Sequence, residues 1–179
     1  MPSIKRIISV IGSGDLPSDH PSCKKAYLLG KALIDNGYRL VTGGYGGVME
    51  AASKGARDSG NHKEGDIIGI LRGMDRNEGN PYLDVPLTTG FGMARNQIVA
   101  SSDCVVAISG SGGTLSEMAF AWGLGRMVIA YRVEGWSGEL ADGRIDDRKR
   151  NALTDDRVYG ADDESDVIKL IGERLHHYL

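Results

Sequence analysis

Two side chains in this sequence are suited to handling an anion beside a sugar: Arg95 and Glu117, each just beyond a glycine-rich turn. Residues 103–125 read DCVVAISGSGGTLSEMAFAWGLG. The run 104–108 is short and continuously apolar, as in a strand buried on both faces. The turn 109–113 breaks it, and Thr114 opens a helix with Glu117 three residues on. A strand, a glycine turn and a helix leave backbone N–H groups aimed at one point, where the helix dipole adds positive partial charge. That point suits a phosphate, so Gly110, Ser111, Gly112, Gly113 and Thr114 are candidate phosphate ligands. Glu117 has two readings. In a capping box, Thr114 is the N-cap and Glu117 the third helical residue, each satisfying the other's backbone N–H. In a binding site, the turn holds phosphate while Glu117 faces the sugar. Arg95 is expected in the first turn of a helix over 93–102, with Asn96 beside it. A cation there opposes the dipole, so Arg95 is either a solvated surface residue or one placed to meet an anion.

Two further turns resemble the first in position. Gly43, Gly44, Gly46 and Gly47 fall between a strand at 38–42 and a helix at 48–59. Gly12, Ser13 and Gly14 follow a strand at 6–11 and read as a polar loop able to offer backbone N–H groups. They are not a dinucleotide fingerprint: Pro17 stands where the third glycine belongs, and no acidic residue closes the second strand. Further strands are expected at 66–71, 84–88, 127–131 and 157–159, and further helices at 22–36 and 162–177. Residues 72–83 read as a mobile polar loop beside the site. Residues 132–150 read as a loop carrying Trp136, with a charged patch at 142–150 that is solvated or part of a subunit contact. His20 and His62 have no partner at ligand spacing, and His176 and His177 read as surface residues pointing apart, so no metal site is expected.

Strands alternating with helices imply an α/β fold: an open, mostly parallel, Rossmann-like sheet with helices on both faces. Ligands bind beyond the carboxyl ends of such strands, so the glycine turns should face one crevice. With 179 residues, the chain is expected to form a single Rossmann-like nucleotide-binding domain over 1–179. A net charge of −3 suggests no nucleic-acid footprint. No apolar run reaches membrane-spanning length, and the N-terminus runs straight into a strand with no cleavable signal. Cys23 and Cys104 lie in unrelated contexts, as thiols of a reducing compartment do. The expected location is cytoplasmic.

On these residues the chain resembles the Lonely Guy (LOG) type of Rossmann-like proteins in the SLOG superfamily. The family mark is PGGxGTxxE, preceded by an Arg-Lys pair; here the two are SGSGGTLSE at 109–117 and Arg95-Asn96. The loop TGGYGGVMEAASKGA at 42–56 looks like the family's second phosphate-side loop. The resemblance implies hydrolysis of a nucleoside 5′-monophosphate at its N-glycosidic bond, with Gly112, Gly113 and Thr114 on the phosphate, Glu117 facing the ribose, and Arg95 beside it as the second catalytic residue. Ser109, Ser111 and Asn96 depart from the mark. The Arg-Asn form is closer to the small-SLOG subgroup that includes the molybdenum cofactor carrier proteins. That likeness implies a non-catalytic carrier of a phosphorylated cofactor such as molybdenum cofactor. On either reading the partner is a phosphorylated small molecule, bound as nucleotide or molybdenum cofactor with no other cofactor required. The resemblance also implies a homodimer or larger homo-oligomer. No lysine sits in the glycine turns 43–47 and 109–113 or beside Arg95, which argues against pyridoxal decarboxylase chemistry.

Overall fold

A computed structural model describes residues 4–179. The expectation of a leaderless start therefore falls partly outside the described residues. Seven strands form one sheet: β1 (Ile7–Gly12), β2 (Arg39–Thr42), β3 (Ile67–Leu71), β4 (Val85–Thr88), β5 (Cys104–Ile108), β6 (Met127–Tyr131) and β7 (Tyr159–Ala161). Every pairing is parallel, in the order β4-β3-β2-β1-β5-β6-β7. Strands β5 and β6 are buried throughout, and their unbroken apolar sequences follow from being covered on both sides.

Six helices supply that cover: α1 (Pro21–Asp35), α2 (Val48–Arg57), α3 (Asn96–Val99), α4 (Gly112–Gly123), α5 (Trp136–Leu140) and α6 (Glu164–Arg174). On one face Ala26, Leu29, Ala52, Val167 and Ile171 pack onto Ile8, Val10, Leu40 and Val106. On the other Val99, Met118 and Trp122 pack onto Ile11, Val105, Ala107 and Val128. Strand order reverses at β1, which lies between β2 and β5. The loops leaving β1 and β5 at their carboxyl ends diverge to opposite faces and open a crevice between them.

Helices α1 and α2 approach closely. A Cβ on Gly30 would stand 2.0 Å from the Ala52 carbonyl oxygen, a backbone atom that cannot swing aside. Gly30→Ala should therefore lose about 2–3 kcal/mol, as overpacked cores do, measurable as a lower denaturation midpoint with an unchanged slope.

Several boundaries differ from the sequence expectation. The helix expected at 93–102 is a 3-10 turn, Gly92–Arg95, followed by the single turn of α3. The glycines at 90 and 92, both at positive φ, hold the chain in a tight path there. The loop expected at 132–150 contains α5, and the last strand lies two residues later than expected, at β7. The helix expected at 162–177 ends at Arg174 and continues as a 3-10 turn, Leu175–Tyr178. His176 and His177 are exposed there but do not point apart: their ring centroids are 3.8 Å from each other. The charged patch is not wholly solvated. The Arg150 side chain is 5 % exposed, its guanidinium 3.4 Å from the Trp122 ring centroid and paired with Asp156 at 2.7 Å. Cys23 and Cys104 are buried free thiols.

Candidate functional site

Helix α4 begins at Gly112, not Thr114, and its N-cap is Ser111, which makes no side-chain capping bond. The first intrahelical bond at this end runs from the Leu115 N–H to the Ser111 carbonyl, 3.0 Å. The N–H groups of Gly112, Gly113 and Thr114 therefore have no acceptor within the helix. No acidic side chain occupies the first turn. This corrects the capping-box reading. Glu117 sits a full turn deeper than a capping carboxylate, because the two glycines already adopt helical geometry ahead of Thr114.

Glu117 instead meets Arg95. Arg95 Nη1 donates to Glu117 Oε1 at 3.2 Å, and each side chain is 9 % exposed. Arg95 is thus not the solvated surface arginine that one reading of the sequence allowed. Burial pushes the Glu117 carboxyl up to about 7, with Arg95 pulling in the other direction. Burial likewise lowers Arg95, opposed by the charge of Glu117. The pair shares one proton-sensitive, poorly hydrated spot, and Arg95 Nε is buried there with no hydrogen-bond partner.

The raised carboxyl has a stability consequence with a definite sign. The folded state holds the proton more tightly than the unfolded chain, so the contribution is complete below the unfolded value near 4.5 and is lost as pH rises through about 7. Across that window Glu117 should remove stability at up to about 1.4 kcal/mol per pH unit. Melting curves from pH 5 to 8 check this: the gap between the protein and its Glu117→Gln variant should change over this window and be flat above it.

The pair lines a cleft of about 390 Å³ at the β1–β5 crevice. Of the residues expected at the site, Gly12, Ser13, Gly14, Gly46, Ser111, Gly113, Thr114, Arg95, Asn96 and Glu117 line it. Gly43, Gly44, Gly47, Gly110 and Gly112 do not. Gly43 leaves room for the Arg95 guanidinium, Gly44 for Leu71, and Gly110 for Thr114. Gly47 abuts the Ser13 carbonyl, and nothing lies within 4 Å of a Cβ on Gly112. Asn96 is buried and braces α4: its Nδ2 donates to Ser116 Oγ at 2.9 Å, and that hydroxyl donates to the Gly113 carbonyl at 2.7 Å. Asp15, Tyr45, Met49, Arg72 and Met93 also line the cleft and were not anticipated. A larger groove of about 590 Å³ lies beside α1 and α2, with Leu16, Tyr27, Ala51 and the exposed Lys24 and Lys54 in its wall, but it holds no buried charged pair.

The β1 and β5 loops are stitched together. Ser13 Oγ accepts from the Gly110 N–H at 3.1 Å, and the Ser109 N–H donates to Ser137 Oγ at 2.8 Å. Ser109 has φ +61°, a left-handed backbone. Proline, which opens the PGGxGTxxE mark, is locked near −65° and cannot occupy this conformation. Among the described residues no group of three or more His, Cys, Asp or Glu side chains is arranged to hold a metal ion. No described helix is long and apolar enough to cross a membrane.

An all-parallel, doubly wound sheet with its cleft at the point where strand order reverses places the chain in the Rossmann-like class. Within that class it belongs to the SLOG cluster4 family, which matches residues 5–161. The chain is 34 % identical to the molybdenum cofactor binding protein from the phototrophic bacterium Rippkaea orientalis, with a TM-score of 0.77 over 95 % of this chain and 97 % of that one. It is 30 % identical to the molybdenum cofactor carrier protein MCP from Chlamydomonas reinhardtii, with a TM-score of 0.76 over 96 % and 99 %. An uncharacterized protein of Archaeoglobus fulgidus is 36 % identical over 126 residues, 70 % of this chain and 79 % of that protein. These findings agree with the resemblance drawn from the glycine loops, and with its small-SLOG side in particular.

Proposed function

We propose that this chain binds a phosphorylated small molecule in the β1–β5 cleft and carries it without turnover, the ligand being a phosphate ester of the molybdenum cofactor type. One observation carries the reading. The uncapped start of α4 offers unused N–H groups to the same cleft that Arg95 lines, and Arg95 Nε has no partner. A phosphate there would accept from the Gly113 and Thr114 N–H groups and from Arg95, in a cleft that Ser13, Gly14 and Gly46 also line. Two structural relatives that bind or carry molybdenum cofactor support the choice of ligand class. The metal would arrive as part of the cargo, and recognition would run through its phosphate and ring.

Phosphoribohydrolase activity is the second reading, favoured by the Arg95–Glu117 pair itself. A carboxylate beside C1′ can stabilise an oxocarbenium-like transition state, and the neighbouring guanidinium favours its ionised form against the effect of burial. The left-handed Ser109 weighs against this reading, because the loop takes a path that the proline of the LOG mark cannot follow.

The test is a thermal-shift and calorimetric titration with inorganic phosphate, ribose 5-phosphate, AMP and a pterin phosphate, each ester beside its dephosphorylated counterpart. Only the phosphate-bearing compounds should raise the melting temperature. If the phosphate makes no difference, the binding reading is wrong. Chromatography of the AMP incubation decides between carriage and hydrolysis: free adenine formed catalytically would establish the second reading.

A further inference from the structure

Building on that reading of the cleft, we infer that Arg72 and Tyr45 form a stacking platform for the ligand's ring, so that the site selects phosphate esters bearing a flat nitrogenous heterocycle over bare sugar phosphates. Arg72 directly follows β3 and is exposed at the cleft. Its guanidinium carbon lies 4.6 Å from the Tyr45 ring centroid. Tyr45 is held firmly beneath it. The Tyr45 hydroxyl accepts from the Arg72 backbone N–H at 3.0 Å and donates to Glu78 Oε2 at 3.3 Å, while the Tyr45 carbonyl accepts from Asn80 Nδ2 at 3.1 Å. Among the described residues no carboxylate lies within ion-pair distance of Arg72.

A guanidinium stacked on an aromatic ring, with no anion to satisfy it, keeps its second planar face available to another π system. The rest of the wall suits a ring as well. Met49 and Met93 line the same cleft, Met93 at 58 % exposure, and thioethers make favourable contacts with aromatic edges. The Asp15 carboxylate, also in the wall, can accept an N–H from a heterocycle or a hydroxyl from a sugar. A site for phosphate alone would need none of these apolar surfaces.

The experiment compares AMP with ribose 5-phosphate by calorimetry, in the wild-type chain and in the Arg72→Lys, Arg72→Ala and Tyr45→Phe variants. Arg72→Lys keeps the charge but removes the plane. It should weaken AMP about tenfold and leave ribose 5-phosphate unchanged, while Tyr45→Phe, which keeps the ring but frees it from Arg72 and Glu78, should weaken AMP by a smaller factor and also leave ribose 5-phosphate unchanged. Arg72→Ala should weaken AMP at least as much as Arg72→Lys does. Unchanged melting temperatures in the Arg72 variants would exclude a folding effect. Equal losses for the two ligands would overturn the proposal and make Arg72 a phosphate contact. So would a wild-type chain that binds AMP no more tightly than ribose 5-phosphate. Failure of the underlying reading is separately visible, as absence of ribose 5-phosphate binding in the wild type.

Discussion

Replacing Arg95 with alanine is expected to destabilise the fold by about 3 kcal/mol at pH 8 and by far less at pH 5.5. The reason lies in what is left behind. Arg95 and Glu117 are buried against each other at 3.2 Å. Without the guanidinium, Glu117 is a buried carboxylate with no cation, and its already raised pKa must climb further. At low pH it is protonated, and the variant loses only contacts and a hydrogen bond. At high pH the fold must either hold a bare charge or draw a proton from dilute solution. Arg95→Met combined with Glu117→Gln should recover most of the loss at pH 8, because it removes both charges. Urea denaturation at the two pH values measures all of this, and equal losses at both would mean that the pair is hydrated after all. In the ligand titration, Arg95→Ala should weaken phosphate esters by about 10- to 100-fold, the worth of a charged hydrogen bond.

Gly47→Ala is expected to be nearly as damaging, by a different route. Gly47 has φ +60°, and a Cβ there would stand 2.3 Å from the Ser13 carbonyl oxygen and 2.8 Å from the Gly14 carbonyl carbon. The next residue, Val48, donates its N–H to that same Ser13 oxygen at 3.0 Å. The loops after β1 and β2 therefore meet through a backbone contact that only a residue without a side chain permits. Strained backbone and overpacking together should cost about 3 kcal/mol or more. Any relaxation would carry Ser13 and Gly14 out of the cleft, so ligand affinity should fall too. Gly172→Ala is the control: nothing lies within 4 Å of its Cβ, it sits in α6, and the change should stabilise by about 0.5–1 kcal/mol. A Gly47→Ala chain that melts and binds like the wild type would show that the loops need not touch.

The sheet and its polarity were legible because β5 and β6 are apolar without a break, a pattern that strands buried on both faces produce, and because β1, β2 and β5 end in glycine turns. The pairing of Arg95 with Glu117 was half legible. Both follow glycine turns, so both belong at one edge of a parallel sheet, but their distance depends on how early each helix begins. The capping signature misled because it looks for a side chain that caps. Helix α4 begins on two glycines, and its free N–H groups leave no mark in the sequence. Arg72 and Tyr45 were missed although a signal existed: Arg72 is the residue directly after a strand, at the same edge as the other turns. What concealed it was the polar sequence after it, which reads as a mobile loop. In the fold that segment is moored, with the Asn80 N–H donating to the Gly44 carbonyl at 2.8 Å. Arg150 was hidden among charges for a related reason, since nothing local announces that Trp122 and Asp156 will close over it.

The central place of β1 bears on how the chain is made. Its first neighbour, β2, follows after one helix, but the other, β5, pairs Cys104 with Ile8 only once well over half of the polypeptide exists. During synthesis the amino-terminal strand must wait with one apolar edge unprotected, the situation that invites aggregation or chaperone capture. Nascent chains arrested before residue 104 should accordingly be far more protease-sensitive than those arrested beyond residue 131, and the cleft cannot form on the shorter ones.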